Sequence, residues 1–431
     1  MIIFLKKVLK YFFYFISGTI LLATGFVIYL IWFQPPFYFP KPTGKYAIGV
    51  KDYHWIDINR KETFANDPEH PNRELMVKIW YPNSPKFSEK PTTPLAPDLI
   101  NYIKKNQKLL WLFVCARPIY TYAKPNAQIV SSETKQSFPI IFFSHGRGPC
   151  DYDSNVAQCE ELASHGYVVI GINHTYSSIF TKFPDGRIID GMKAMKQRES
   201  GSNFTQIKDF LDKELEVWIA DVEFVLDQLE QLDKKEKSFF YHRLDLKNIG
   251  IFGHSFGGAT AVQICRNDNR VKAGVNLDGG LFGHNPTKKF NNPFMFMLNE
   301  HEVKPIDEPL PQEIKNDFKI SNKNEEKMYR SLVFFSIVQL AKALGNDAYI
   351  FTIQKIGHLD FTYFTLLKHS SIFLTLFEKL SSSLLLGSID GFRANEIINA
   401  YLVNFFDKYL KGQSSNLLDG KENPYSEIER R

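Results

Sequence analysis

The sequence predicts an α/β fold with a mostly parallel central sheet. Three observations carry that expectation. Six short apolar runs recur through the middle of the chain, most of them separated by helical patterns, as parallel strands joined by crossover helices require. One run turns through Gly253-His254-Ser255-Phe256-Gly257-Gly258 directly into the helix-like stretch 259–265. The composition is 44% hydrophobic, enough apolar material for a large core and unlike that of a disordered chain.

The elements follow in order. Residues 11–32 carry no charge and, as a helix rising about 1.5 Å per residue, would cross a hydrocarbon layer of about 30 Å. Lys6, Lys7 and Lys10 precede this stretch and the next positive charge is Lys41. That bias keeps residues 1–10 in the cytoplasm and places the body of the protein across the membrane, in a periplasmic or lumenal space, behind a transmembrane signal anchor. The alternative is a cleaved signal peptide and a secreted product. Residues 33–44 read as a Pro-rich spacer, 45–412 as one domain with insertions and 413–431 as a polar tail.

Within the domain an early strand is expected at 74–81. Residues 82–136 form an excursion around the apolar patch 109–114. Further strands fall at 139–146, 167–174, 246–255, 271–279, 294–300 and 348–354. Leu211, Leu215, Trp218, Val222, Val225, Leu229 and Leu232, spaced by four and three, mark a helix with one face in the core. A charged insertion at 301–327 and helices at 329–344, 364–380 and 394–410 complete the chain.

The chemistry centres on Ser255. A strand that turns sharply into a helix strains the turn residue, needs small residues such as Gly253 and Gly257 on either side, and presents the hydroxyl at a helix N-terminus. This is the nucleophile elbow of the α/β-hydrolase fold, in which an acid and then a histidine follow the serine in the chain. His358 lies just past the last expected strand, where active-site loops belong. Asp278 closes the run GVNLD at a strand end, whereas Asp360 is two residues from His358 and Asp390 sits before the final helix. His284, His301 and His369 fall in loops or within a helix. His254 and His145 are expected to be structural. The oxyanion donors are expected to be the backbone N–H groups of Phe256 and Arg147.

Other chemistries find no support. The 52 basic and 47 acidic residues leave a net charge of +5, with no basic stripe interleaved with aromatics, so no nucleic-acid partner is expected. Cys115, Cys150, Cys159 and Cys265 form no CxxC pair and no metal-ligand spacing with histidines, and read as buried apolar side chains. Neither a metal nor an organic cofactor is expected.

At these residues the chain resembles the platelet-activating-factor acetylhydrolases of the plasma and intracellular type II kind, which are α/β-hydrolases. The resemblance rests on IWYP (79–82), FPIIFFSHGRG (138–148), GYVVIGINHTYSS (166–178), GHSFGG (253–258), LDG (277–279), GHLDFTYF (357–364) and NFFDKYLKG (404–412), and spans 45–412. It implies Ser255 as nucleophile, Asp278 as acid, His358 as base and the amides of Phe256 and Arg147 as oxyanion donors. It also implies calcium-independent release of short or oxidised acyl groups from the second position of glycerophospholipids. The apolarity of 109–114 and 364–380, together with the tether, suggests that these stretches rest on the bilayer, with burial in the core as the alternative. The segments 82–136 and 301–327 look longer than the family pattern, so substrate is less constrained than chemistry. A broad carboxylesterase, a peptidase and a non-catalytic lipid-binding protein are the competing readings.

Overall fold

Ten strands form the central sheet of the computed structural model: β1 (Ile48–Lys61), β2 (Asn72–Pro82), β3 (Lys124–Pro125), β4 (Phe138–Ser144), β5 (Val168–Asn173), β6 (Leu244–His254), β7 (Val271–Leu277), β8 (Phe294–Asn299), β9 (Ala348–Ile353) and β10 (Ile428–Arg430), in the order β10-β9-β8-β7-β6-β4-β5-β2-β1-β3. The structure describes residues 2–32, 36–83, 91–106, 118–130, 137–283, 285, 287–300, 308–368, 385–420 and 423–431. The apolar patch 109–114, Cys115, His284, His301, His369 and most of the helix expected at 364–380 lie outside the described residues.

From β5 through β9 every neighbouring pair is parallel. These strands are buried along most of their length, β5 and β8 completely. Helices cover both faces, so each strand reads as a nearly continuous apolar run. On one face α2 (Val156–Ser164) and α6 (Gly391–Lys411) pack, with Ile397, Tyr401 and Phe405 in one core with Phe143, Phe252 and Phe351. On the other lie α3 (Phe204–Lys234), α4 (Phe256–Asn267) and α5 (Ser336–Leu344), where Val222, Val225, Leu229 and Ile337 join Phe142, Ile251 and Phe296. α3 opens with a capping box between Asn203 and Gln206 and buries the expected stripe from Leu211 to Leu229.

Several boundaries differ from expectation. β2 is antiparallel to both β1 and β5, and β1, 14 residues long, had no counterpart in the expected elements. The stretch expected as a spacer is partly core: Phe37 and Phe39 are buried, and Phe37–Tyr38 pairs with Ile119–Thr121. The stretch expected as a polar tail supplies the edge strand β10, antiparallel to β9, and buries Leu418. In each case a few apolar residues among polar ones suffice to pin the segment. Residues 82–136 are no simple loop either, since Pro97–Asn106 is helical and Leu99 and Ile103 are buried. The 301–327 insertion includes the helix Gln312–Asp317, and its Leu310 and Ile320 pack with Phe204. The helix expected at 329–344 is interrupted by a π-helical turn, Ser331–Phe335. The described start of the next one, Phe364–Leu367, buries Thr365, Leu366 and Leu367, which favours core packing over a bilayer role there.

Ahead of the domain runs α1 (Ile2–Trp32). Its span Lys6–Phe26 has a mean hydropathy of 1.4 and none of it is buried, so the helix is long and apolar enough to cross a membrane.

Candidate active site

Ser255 stands between β6 and α4 at φ 55°, a left-handed conformation unusual for a residue with a Cβ. Its own N–H donates to Leu277 O at 2.9 Å, which ties the elbow to the end of β7. The flanking glycines are required by space. A Cβ on Gly253 would lie 2.0 Å from Gly257 O, and one on Gly257 would lie 2.0 Å from Ser144 O.

His358 opens the short 3-10 turn His358–Phe361 after β9. Its Nε2 is 3.0 Å from Ser255 Oγ and its Nδ1 is 2.7 Å from Asp278 Oδ2. The three residues come from three different strand ends, and the structure brings them into one hydrogen-bonded series. Asp278 follows β7, also at positive φ (58°), with its side chain fully buried, whereas the side chain of His358 is 30% exposed. The relay is therefore sealed at the carboxylate and open at the serine. With Nδ1–H donating to Asp278, Nε2 is left to accept the serine proton, which is what activation of a hydroxyl needs.

A fourth residue was absent from the sequence expectations. Asn299, the last residue of β8, donates to Asp278 through its backbone N–H (2.8 Å to Oδ1) and its side chain (2.7 Å to Oδ2). The only hint in the sequence is a lone amide ending the apolar run FMFML.

The competing groups have other partners. Asp360 Oδ2 accepts from the N–H groups of Gly357 and Gly387, at 2.8 and 2.7 Å, and its other oxygen pairs with Lys368. It staples the loop that carries His358, and burial raises its carboxyl above the ordinary range. Asp390 caps α6. His254 is buried with its Nε2–H donating to His358 O at 2.9 Å, and burial, with the nearby His358 ring, holds it well below the usual histidine range. It supports the backbone of His358.

Phe256 and Arg147 stand at the start of α4 and in the loop after β4, and among the described residues no backbone carbonyl accepts from either N–H. The Arg147 side chain turns toward Glu214 of α3 (2.7 Å) and Glu199. His145 donates from Nδ1 to Gly146 O at 2.8 Å and accepts at Nε2 from His174 N–H at 3.1 Å. Burial pushes its imidazole down to about 3, so it is neutral. Cys150, Cys159 and Cys265 are buried and unpaired.

A family model described as platelet-activating factor acetylhydrolase, isoform II, matches residues 33–424. The chain belongs to that family. As a member of the platelet-activating factor acetylhydrolase, isoform II, family it is an α/β-hydrolase-fold hydrolase of ester bonds. It is 24% identical to a protein of Arthroderma benhamiae described as a probable 1-alkyl-2-acetylglycerophosphocholine esterase, over 96% of this chain and 98% of that one. It is 26% identical to the platelet-activating factor acetylhydrolase of Cavia porcellus, over 61% of this chain and 60% of that protein. Among solved structures it is similar to a ferulic acid esterase from Streptomyces cinnamoneus, with a TM-score of 0.66, 25% identity, and coverage of 91% of this chain and 99% of that one.

Proposed function

We propose that the chain is a calcium-independent serine phospholipase that releases short or oxidised acyl groups from the second position of glycerophospholipids. The observation that carries the reading is the series Ser255, His358 and Asp278 on a strained elbow. Ser255 Oγ attacks the ester carbonyl as His358 Nε2 takes its proton, and Asp278, gripped by Asn299, steadies the imidazolium. The amides of Phe256 and Arg147 receive the oxyanion. His358 then returns the proton to the departing lysophospholipid, and water repeats the attack on the acyl-enzyme. The names of the relatives support the substrate class. α1 supports a membrane-anchored form with the domain outside the cytoplasm, with secretion after cleavage as the other outcome.

The likeness to a ferulic acid esterase favours a second reading, a broad carboxylesterase with the same relay. Acyl release is measured from phosphatidylcholines carrying acetyl, oxidised short-chain or palmitoyl groups at the second position, and from a feruloyl ester, with the intact chain and with Ser255→Ala. Release of the acetyl and oxidised groups alone, abolished in the variant, is the expected result. Turnover of the feruloyl ester with every phospholipid inert would replace this reading with the second.

A further inference from the structure

β4 and β6 are neighbours, with Ser144 opposite Gly253, so the end of β4 abuts the strand that carries Ser255. There the chain holds a second Ser–His–Asp series. Ser144 Oγ is 3.0 Å from His174 Nε2, and His174 Nδ1 is 2.9 Å from Asp221 Oδ2. The corresponding spacings around Ser255 are 3.0 and 2.7 Å.

This series is not a second hydrolytic centre. Ser144, His174 and Asp221 are each 0% exposed, and Ser144 ends a regular strand with no elbow after it. The carboxylate of Asp221 is matched by Arg73, at 2.7 and 3.1 Å, and by Arg60 at 2.8 Å. The His174 ring lies flat on Trp218, 3.8 Å between centroids and 9° between planes. Every hydrogen of the series has a fixed direction. Asp221 takes the Nδ1–H of His174, which leaves Nε2 to accept from the Ser144 hydroxyl.

From His174 the directionality continues. Its backbone N–H donates to His145 Nε2, so the proton of the neutral His145 sits on Nδ1 and donates to Gly146 O. That carbonyl belongs to the same peptide unit as the N–H of Arg147. In a planar trans peptide the C=O and N–H point in opposite directions. Gripping the Gly146 oxygen from the His145 side therefore fixes the Arg147 N–H in the opposite direction, away from the buried ring. The elbow is registered to the same strand end, because Gly257 packs against Ser144 O with no room for a Cβ.

We propose that His145 and His174 are positioning residues, which hold the Gly146–Arg147 peptide in the one orientation that presents its N–H to the oxyanion. This rests on the reading of Ser255 as nucleophile and of Arg147 as an oxyanion donor. Misdirecting a donor weakens the transition state and leaves ground-state binding alone, and loss of one oxyanion donor lowers kcat by about 100-fold or more.

The test uses the full chain with p-nitrophenyl acetate as a soluble ester. His145→Leu removes the grip on Gly146 O, and His145→Asn restores a donor at the position of Nδ1. Expected are a fall in kcat of about 100-fold for the leucine variant at unchanged KM, and recovery of most of it by asparagine. Affinity for a trifluoromethyl ketone, which forms an oxyanion on the enzyme, should weaken in parallel. Ser144→Ala, a smaller change, covers the case in which His145→Leu does not fold; a fall of about tenfold in kcat at constant KM is expected. Unchanged kcat per folded molecule in these variants, with activity lost in Ser255→Ala, would overturn the positioning role alone. Activity retained by Ser255→Ala would overturn the nucleophile reading and the proposal with it.

Discussion

Two of the three residues in the relay, Ser255 and Asp278, hold left-handed backbone conformations at the carboxyl ends of neighbouring strands. Such positions persist only where surrounding contacts over-determine them. Here the elbow has no slack, since a Cβ on Gly257 would meet the backbone oxygen of Ser144 rather than a movable side chain. Gly257→Ala is therefore expected to destabilise the fold by about 3 kcal/mol or more, read from the denaturant midpoint. Asn299→Leu removes one of the donors to Asp278 and should lower kcat about tenfold at a stability cost of about 1–3 kcal/mol; an unchanged kcat would show that Asp278 needs no such support.

The buried histidines set a pH dependence of stability. His145 faces His174 and Asp221, and burial holds its folded form neutral down to about 3, below the ordinary value of 6.5. The unfolded chain then binds more protons than the folded one between those values, so stability is full above pH 6.5 and falls as the pH drops toward 3. His174 and His254 are shifted in the same direction. Denaturant midpoints should decline across this window and decline less steeply in His145→Asn; identical slopes would exclude His145 as a contributor. At this scale Ser255, His358 and Asp278 were legible because motif, chain order and strand ends converge on them. Asn299, His174 and Asp221 were not. Their partners lie from 21 positions away, for Asn299 and Asp278, to 161, for Asp221 and Arg60, and only knowledge of which strands and helices adjoin brings them together.

Among the elements, legibility followed burial. Strands covered on both faces, such as β5 and β8, announce themselves as unbroken apolar runs, whereas β1 mixes buried, half-buried and exposed positions and interrupts its apolar residues with Lys51, Asp52 and His54. β10 is shorter still, three residues of which only Ile428 is buried. A strand so short is defined by its partner β9 and by nothing local. Its attachment is nevertheless specific: Gln354 N–H donates to Glu427 O, and Arg393 of α6 holds the Glu427 carboxylate at 2.9 and 3.0 Å. Deleting residues 427–431 should lower the thermal midpoint by a few degrees while leaving the relay assembled, because β9 keeps β8 on its other side. Loss of fluorophosphonate labelling at 25 °C in a folded truncation would contradict that separation.

For the molecule as a whole, two helical layers clamp a sheet whose strand ends converge on one site. α1 stands outside this unit. Only residues 33–36 lie between Trp32 and the buried ring of Phe37, a linker that reaches about 17 Å at full extension. The ring of Phe39 in turn sits 6.4 Å from that of Tyr363, five residues beyond His358. A signal peptidase could release the domain intact only by cutting ahead of Phe37, so mass spectrometry of the purified N-terminus should return no start later than that residue. If α1 is retained and enters a bilayer, the loop that carries His358 hangs on a leash about half a bilayer long. The enzyme would then sample esters by lateral diffusion in a plane, and its rate would follow their surface density rather than their bulk concentration.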